Sequence, residues 1–397
     1  MGGGTGIKIA FVTDVIYPFT YGGAEKRIYE LSKRLVELGD EVTIIGLKWW
    51  RGPSSFKMKR VKVKGTAPAP NLYVRDRRSL GEPIYFAATL LYMCLKDLRK
   101  MHELDVIDCN EFPYLHCYTI RLLKTTARTK MIISWWEIWQ DIWPKVLGKL
   151  ALLGRIIERL MLRLPDAHIT DSTFTRRILV SYGVEPTKIK VISSGVDISK
   201  ILRIRPSEKK SDVIFVGRLI RNKRVDLLIR AIQYLVEDFP DIKVVIVGSG
   251  PEYRNLRRLV YELNLKKQIE FTGKLKSEEA VISLLKSSKV FVYPTAIEGG
   301  WSISALEASA SGLPIVSVKQ TPLGASTDNV INGYNGFLVE KEDPRLIADK
   351  IRVLLSDDNL REQMGRNALR FAQKFDWSVQ VRRLRNFYKQ VLEGNLP

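Results

Sequence analysis

The sequence predicts an α/β protein built from two doubly wound, Rossmann-like domains that face each other across a cleft. Two observations support this fold class. The chain has 397 residues, which is enough for two domains that each bury a core. A pattern of strand, loop, helix and strand, typical of parallel sheets, begins near the N-terminus and starts afresh after a polar, basic stretch at 206–211. We expect a first domain over 1–195, a second over 196–377, and a terminal helix over 378–397 that crosses back to the first domain.

In the first domain, residues 7–12 have the pattern of a buried strand, and a loop with Gly22-Gly23 follows. Residues 24–38 have helical periodicity, and this predicted helix ends at Gly39. One face of it carries Ile28, Leu31, Leu35 and Leu38. Further strand patterns lie at 41–45, 106–108, 131–134, 167–170 and 189–192.

The second domain begins with a predicted strand at 212–216 and a helix at 225–236. A strand at 243–247 then leads into Gly248-Ser249-Gly250-Pro251. The remaining patterns are strands at 269–271, 290–292 and 314–318 and a helix at 379–392. Because ligands of such sheets bind beyond the carboxyl ends of the strands, a cleft between the two domains is the expected place for chemistry.

Composition indicates a globular protein with a large excess of positive charge. Apolar residues make up 45% of the chain, charged residues 27%, and the net charge is +21. Both halves are basic, so the charge does not belong to a tail. A basic surface suits anionic lipid, nucleotide phosphates or nucleic acid, and it also favours solubility. No nucleic-acid recognition motif accompanies the charge, so we expect no nucleic-acid partner.

The cysteines and the apolar segments bear on location. The chain has three cysteines, at Cys94, Cys109 and Cys117. An odd number without the spacing of metal ligands argues against a disulfide framework or a zinc site. The N-terminus has no signal-like segment, and the longest apolar run, 84–95, is too short to span a bilayer. We expect a cytoplasmic protein, either free or peripheral on the inner face of the cell membrane.

One stretch of the second domain combines features of a phosphate site and of a carbohydrate site. Glu298, Gly299 and Gly300 precede an apolar helical pattern that carries Glu307. Glycines allow backbone to approach a ligand closely, and a helix start presents unpaired amides and a positive dipole end to an anion. A carboxylate within the helix can accept hydrogen bonds from sugar hydroxyls. The combination favours a nucleotide sugar as ligand, although a purely structural turn has the same local pattern.

Two cations follow the first strand of the second domain. Arg218 comes directly after this strand, and Lys223 comes five residues later, before a helix. Fixed cations at this place can stabilise a departing diphosphate without a metal ion, although both residues are also compatible with a generally basic surface. The Asp-x-Asp pattern of a metal-dependent sugar transferase does not occur. We therefore expect no metal and no cofactor beyond a nucleotide sugar as substrate.

These motifs together resemble the retaining glycosyltransferases of family 4, which have the GT-B fold. The resemblance rests on Gly22-Gly23-Ala24-Glu25, Gly217-Arg218-Leu219 with Lys223, Val247-Gly248-Ser249-Gly250-Pro251, Phe271-Thr272-Gly273 and Glu298-Gly299-Gly300 with Leu306-Glu307-Ala308, in family order. It spans nearly the whole chain. It implies transfer of a sugar from a nucleotide-linked donor with retention of the anomeric configuration.

The resemblance also implies roles for individual residues. Arg218 and Lys223 would hold the diphosphate, Glu307 the ribose and Glu298 the donor sugar. The phosphates would meet backbone amides in the stretch Gly299, Gly300, Trp301, Ser302, Ile303 and Ser304. Gly22-Gly23 would bring a loop of the first domain against the donor phosphates, and the backbone of Lys274-Leu275 would face the base.

Two positions depart from the family pattern. The interval between the paired glutamates, Glu298 and Glu307, is longer by one residue than is usual, which predicts a local bulge in the loop. Trp136 occupies the place where many members have a histidine, and an indole cannot accept a proton. The remaining acceptor-side candidates are Asn110, Glu111 and Glu137, each of which is also compatible with a solvated loop. His168 lies in a strand pattern and is expected to be a core residue.

An aromatic and basic segment of the first domain allows two interpretations. Trp135, Trp136, Trp139 and Trp143 precede a leucine-rich helical pattern over 146–164, which also carries Lys149, Arg155, Arg159 and Arg163. Such a segment suits an anionic bilayer surface where a lipid-linked acceptor lies. It equally suits a helix that packs on its own domain. The basic stretches 57–64 and 75–78 are either a lipid-facing rim or a solvated face and hairpin.

The predicted function is therefore a metal-independent, retaining glycosyltransferase that acts on a glycan or a lipid-linked acceptor. A non-catalytic nucleotide-sugar-binding protein is the alternative, because of Trp136 and the longer glutamate interval. A nucleic-acid-binding protein is a third class that only the net charge suggests.

Overall fold

The computed structural model describes residues 6–20, 22–71, 73–74, 77–79, 81–124, 128–140, 143–295, 300–319 and 328–396. The chain divides into two compact units. The N-terminal unit contains the chain up to Ser194 and the segment from Trp377 onward, and the C-terminal unit runs from Gly195 to Asp376. Each unit is built on a mostly parallel sheet covered by helices, so the predicted α/β class with two parallel-sheet domains is confirmed.

The N-terminal unit has a main sheet of eight strands in the order β10-β9-β8-β7-β1-β2-β4-β3. Its strands are β1 (Lys8–Val12), β2 (Glu41–Lys48), β3 (Ser55–Met58), β4 (Val61–Pro68), β5 (Tyr73–Val74), β6 (Arg77–Arg78), β7 (Val106–Asn110), β8 (Lys130–Trp135), β9 (Ala167–Thr170) and β10 (Ile189–Val191). Among the described strands of this sheet, only β3 and β4 pair antiparallel, and β5 pairs with β6 separately. The basic stretch 57–64 therefore forms a hairpin, one of the two structures that the sequence allowed.

Helices cover both faces of this sheet. They are α1 (Gly23–Glu37), α2 (Glu82–Lys96), α3 (Leu98–His102), α4 (Leu115–Leu123), α5 (Trp143–Leu147), α6 (Ala151–Met161) and α7 (Thr173–Ser181). The predicted apolar face of α1 is buried against the sheet through Ile28, Leu31 and Leu35, whereas Leu38 lies beyond the helix and is exposed. Residues of α2, α4, α6 and α7 fill a separate core cluster.

The C-terminal unit has a fully parallel sheet of six strands in the order β13-β12-β11-β14-β15-β16. Its strands are β11 (Ser211–Val216), β12 (Val244–Val247), β13 (Ile269–Gly273), β14 (Ser288–Tyr293), β15 (Ile315–Val318) and β16 (Gly336–Val339). Its helices are α8 (Ile198–Arg203), α9 (Val225–Leu235), α10 (Tyr253–Glu262), α11 (Glu278–Lys286), α12 (Ile303–Ala310), α13 (Pro344–Ser356) and α14 (Asp358–Gln373). The sequence patterns did not predict β16, α13 and α14. They add an edge strand and two covering helices to this unit.

The last helix, α15 (Trp377–Glu393), belongs to the N-terminal unit. It packs beside α1 and closes one face of the sheet with Leu384 and Phe387. Arg385 forms a two-point ion pair with Asp40, at N–O distances of 2.8 and 2.9 Å. Tyr388 donates a hydrogen bond of 2.6 Å to the buried carboxylate of Asp108. Within the described residues, no helix has the length and apolar composition that crossing a membrane requires.

Candidate functional site

Three neighbouring strands of the C-terminal unit end in glycine-containing loops that bond to one another. The amide of Gly217, after β11, donates to the carbonyl of Val247 at 3.0 Å, and the amide of Gly248 donates to the carbonyl of Gly273 at 3.0 Å. The Leu219 amide bonds to the Ser249 carbonyl at 2.9 Å. These bonds extend the sheet past the strand ends and hold the backbone on both sides of Arg218 in place.

Gly248 makes this close packing possible. Its φ of +139° is a conformation that residues with a side chain rarely adopt, and a Cβ there would lie far inside van der Waals contact with the carbonyl oxygen of Gly217. We therefore expect Gly248→Ala to destabilise the C-terminal unit by about 3 kcal/mol, since both strain and displacement of the Gly217 turn are involved. Urea denaturation of the purified variant measures this change. Gly273→Ala is the matched control, because a Cβ at Gly273 meets no atom within 4 Å, and it should cost clearly less.

The two predicted cations both follow β11. Arg218 is exposed at the strand end. Lys223 closes a 3-10 turn, Arg221–Lys223, and is half-buried. Its ammonium donates a hydrogen bond of 2.7 Å to the hydroxyl of Tyr293 and lies 4.8 Å from the centre of that ring. Tyr293 ends β14, the strand next to β11, so this contact fixes Lys223 at the carboxyl edge between the two strands.

The predicted phosphate-binding helix is α12. Ser302 is its N-cap, since the Ser302 hydroxyl accepts a hydrogen bond from the Ala305 amide at 3.2 Å. The amide of Ser302 donates to Oδ1 of Asn329 at 2.8 Å. The amides of Ile303 and Ser304 belong to the first helical turn, which has no intrahelical acceptors. The amides of Ile303 and Ser304 are therefore the donors at this helix start, and their role toward a phosphate stays a prediction. The Ser302 amide, also predicted to meet the phosphates, is instead bonded to Asn329.

The other residues of this segment that were predicted to bind the donor have different environments. Gly300 is buried with a φ of +86°, and its carbonyl accepts from the Asp328 amide at 2.8 Å. Trp301 packs against Phe375, with ring centres 4.5 Å apart, so its indole belongs to the core of the unit. Glu307 is half-buried on α12. Glu298 and Gly299 lie outside the described residues.

Lys274 and Leu275 follow β13 at the same edge of the sheet. Lys274 is exposed, and Leu275 is half-buried against the core. Their backbone therefore continues the row of strand ends that begins at Gly217. The roles of these residues toward a donor stay predictions.

In the N-terminal unit, Gly22 and Gly23 lie at the start of α1. Gly22 is the N-cap, Gly23 is the first helical residue, and both are exposed. The carboxylate of Glu25 lies where a Cβ of Gly22 would stand.

The acceptor-side candidates form a connected group. Glu111 is buried, and its Oε1 accepts from the amide of Trp136 at 3.1 Å and from that of Glu137 at 3.4 Å. The indole N–H of Trp136 donates to Asn110 Oδ1. Burial raises the pKa of Glu111 well above its usual range. Glu137 is exposed and its carboxylate accepts from the indole N–H of Trp139 at 3.3 Å.

A buried arginine, which the sequence analysis missed, supports this group. The Arg27 guanidinium lies 5.0 Å from the centre of the Trp136 ring and donates to the Ile192 carbonyl at 2.8 Å. It is buried near the carboxylates of Asp108, Glu111 and Asp171. Burial raises the pKa of Asp108 to about 6, although Tyr388, Ser134 and Arg27 oppose the shift. A sequence signal exists, because Arg27 precedes Leu31 and Leu35 by one and two helical turns on a buried face.

The tryptophan-rich segment packs on its own unit. Glu158 of α6 is buried and accepts four hydrogen bonds. The donors are the Tyr114 hydroxyl at 3.1 Å, the Trp139 amide at 2.6 Å, the Gln140 side chain at 2.7 Å and the Trp143 indole at 3.2 Å. Trp135 is also buried and donates to Nδ1 of His168 at 3.0 Å. His168 is itself buried, so the prediction of a core histidine is confirmed, and this burial lowers its pKa to about 4.

Within the described residues, no three side chains of histidine, cysteine, aspartate or glutamate come together in a way that could hold a metal ion. Metal independence of the chemistry stays a prediction.

Comparison with known families covers most of the chain. The profile described as Glycosyltransferase Family 4 matches residues 21–200, and the one described as Glycosyl transferases group 1 matches residues 197–371. The chain belongs to the family 4 glycosyltransferases. The family that the sequence motifs predicted is thereby confirmed.

Sequence relatives of this family 4 member include an uncharacterized glycosyltransferase of Methanocaldococcus jannaschii, 30% identical over 60% of this chain and 62% of the relative. Another is the D-inositol 3-phosphate glycosyltransferase of Corynebacterium efficiens, 31% identical over 54% of this chain and 55% of the relative. The match thus spans little more than half the length of these curated relatives.

Solved structures support the fold over the whole chain. Sucrose-phosphate synthase from Thermosynechococcus elongatus superimposes with a TM-score of 0.78 at 19% identity, covering 98% of this chain and 100% of the other. HepE of Anabaena in complex with UDP-glucose gives a TM-score of 0.72 at 18% identity, covering 97% and 100%. The family 4 chain therefore has the GT-B fold.

Proposed function

We propose that this family 4 chain is a retaining glycosyltransferase that transfers a sugar from a nucleotide sugar to a glycan or lipid-linked acceptor without a metal ion. The observation that carries the proposal is the position of Arg218, Lys223 and the start of α12. All three follow β11 or β14, which are neighbours in the sheet. From β11 the sheet continues through β12 and β13, and from β14 it continues the other way through β15 and β16. The crevice between the carboxyl ends of β11 and β14 is therefore a topological switch point.

The chemistry of such a crevice suits a diphosphate leaving group. As the bond between the sugar C1 and the diphosphate oxygen breaks, negative charge grows on the diphosphate. The fixed ammonium of Lys223, the guanidinium of Arg218 and the amides of Ile303 and Ser304 stabilise that charge without moving. HepE, which was solved with UDP-glucose, supports a uridine diphosphate sugar as the first donor to test.

Retention follows if the acceptor attacks from the face that the diphosphate leaves. A bond then forms between the acceptor oxygen and C1 while the C1–diphosphate bond breaks, and the acceptor proton passes to a diphosphate oxygen. This route needs no protein base, which fits Trp136, whose indole N–H is bonded to Asn110. The protein supplies orientation and charge stabilisation.

The alternative is a nucleotide-sugar-binding protein without transferase activity. The observation that favours it is also at Trp136, because Arg27, Asn110 and Glu111 hold this residue in place of the usual histidine. Donor turnover separates the two functions. Hydrolysis or transfer that disappears in Arg218→Ala supports the enzyme, whereas tight binding without turnover supports the alternative.

We also propose that the protein works in the cytoplasm against an anionic membrane surface. The exposed side of α6 and the turn before it carry Leu150, Leu152, Leu153, Ile156 and Leu160 beside Lys149, Arg159 and Arg163. The tryptophans of this segment are engaged inside the unit, so these leucines and cations, not the aromatic rings, would contact the lipid. A surface of this kind suits a lipid-linked acceptor.

Donor binding provides a direct test. We expect UDP-glucose, or another nucleotide sugar, to raise the melting temperature by several degrees, since a donor at 100 times its Kd adds about 2.7 kcal/mol to stability. Glu307→Ala should retain the fold and lose most of this rise, because Glu307 is the predicted ribose ligand. The matched control is Glu237→Ala, which removes an exposed glutamate outside the site. An equal rise in all three proteins would rule out the role of Glu307.

A further inference from the structure

We propose that a groove beside α6 binds the phosphate headgroup of an anionic lipid while the exposed apolar sides of α2, α4 and α6 lie against the bilayer. The proposal rests on the proposed membrane setting and adds to it a defined headgroup site.

Large exposed apolar side chains concentrate on three helices of the N-terminal unit. They are Ile84, Tyr85, Tyr92 and Leu95 on α2, Leu122 on α4, and Leu150, Leu152, Leu153, Ile156 and Leu160 on α6 and the turn before it. Several are more than half exposed, with Tyr92 at 69%, Leu122 at 74% and Leu152 at 67%. Exposed apolar surface that gathers in one region of a protein indicates an interaction site.

The three helices lie side by side. α2 packs on α4, and the Tyr118 hydroxyl of α4 donates to the Ile157 carbonyl of α6. Tyr114, directly before α4, donates to Glu158 of α6. Each helix also has a separate buried side, for example Phe86 and Leu90 of α2 and Met161 of α6. The exposed residues are therefore additional to those that the core needs.

A cationic groove adjoins this apolar surface. A cavity of about 990 Å³ lies between the second half of α6 and the segment 181–188. Ile156 and Leu160 of the apolar surface line it, together with Arg159, Arg163 and Lys188. The guanidinium of Arg159 lies 5.6 Å from the centre of the Tyr182 ring, which also lines the groove.

The charges of the groove suit a phosphate. The anionic residue in its lining is Glu185, which pairs with Lys188 at 3.4 Å. His168, which also lines the groove, stays neutral because it is buried and bonded to Trp135. Two guanidiniums offer forked donors that match phosphate oxygens. Because the same groove has Ile156 and Leu160 at its side, the phosphate of a lipid fits better than that of a soluble metabolite.

The test uses vesicle cosedimentation of the full chain. We expect binding to phosphatidylcholine vesicles that contain about one quarter phosphatidylglycerol and little binding to pure phosphatidylcholine. The groove variant Arg159→Gln/Arg163→Gln should bind the anionic vesicles at least about tenfold more weakly. The control Arg128→Gln/Arg177→Gln removes the same charge at exposed positions outside the groove and should lose clearly less. The apolar variant Tyr92→Ser/Leu153→Ser should lose binding with the groove intact.

Each outcome has a distinct meaning. Equal losses in the groove variant and the control would overturn the headgroup site and leave only diffuse attraction. Wild-type protein that ignores anionic vesicles would overturn both the site and the membrane setting. Competition by soluble glycerol phosphate without any vesicle dependence would identify a soluble ligand and overturn the lipid. UDP-glucose stabilisation, measured without vesicles, is expected to be unchanged in every variant, so failure here is separable from failure of the proposed transferase activity.

Discussion

Replacing Arg218 by alanine is expected to lower the rate of sugar transfer about a hundredfold to a thousandfold, with the fold unchanged. Arg218 follows β11 beside the switch point, where in the proposed reaction negative charge grows on the departing diphosphate. Loss of one preorganised donor at such a position has an effect of this size. Lys223→Ala should act in the same direction. The measurement is kcat with the donor that gives the largest thermal stabilisation.

The control for both variants is Arg221→Ala. Arg221 is an exposed cation on the same 3-10 turn as Lys223, so its removal changes the local charge equally. We expect near-normal kcat in this control. Tyr293→Phe removes the acceptor of the Lys223 hydrogen bond and should give a smaller loss than Lys223→Ala. Equal rates in all of these variants would exclude the proposed cationic site.

Replacing Arg27 by methionine is expected to destabilise the N-terminal unit by about 3–5 kcal/mol, because buried carboxylates then lose their counter-charge. Arg27 is buried near Asp108, Glu111 and Asp171 and also bonds to the Ile192 carbonyl. Urea denaturation followed by tryptophan fluorescence measures the loss. Arg27→Lys, which keeps the charge, should lose less. A stability like that of the original protein would show that Arg27 does not compensate these carboxylates.

The destabilisation caused by Arg27→Met should depend on pH. The pKa of Asp108 in the folded protein, about 6, lies above its ordinary value of 3.8, so folding takes up a proton between these values. Stability therefore falls as pH rises through this window. Without Arg27 the ionised carboxylate is less favourable still, so the loss should be smaller at pH 5 than at pH 7. An equal loss at both pH values would exclude Asp108 as the responsible group.

The periodic signals of the sequence led to the correct fold class for a physical reason. A parallel sheet buries both faces of its strands, so β1, β11 and β12 appear as short apolar runs. α1 has an apolar face with helical spacing because only one side of it meets the sheet. The positions of Arg218 and Lys223 after β11 follow from the same reasoning, since the strand ends before them.

Other features depend on residues that are distant in the chain. Arg27 meets Trp136 and Ile192, Ser302 meets Asn329, and Tyr388 meets Asp108. A local pattern does not record which partner satisfies a buried polar group, because that partner arrives only when the sheet is assembled. Glu158 is another example. Its four hydrogen-bond donors hold the tryptophan-rich segment against its own unit, which the local sequence did not distinguish from contact with lipid.

Local sequence thus established most strands of the two main sheets, a minority of the helices and the family motifs, because hydrophobic spacing and glycine placement act within a few residues. Tertiary structure alone decided which polar groups pair, which apolar side chains stay exposed on α2, α4 and α6, and which amides at the start of α12 remain for an anion. The physical reason is that burial and hydrogen-bond satisfaction belong to the assembled neighbourhood of a residue, not to its place in the chain.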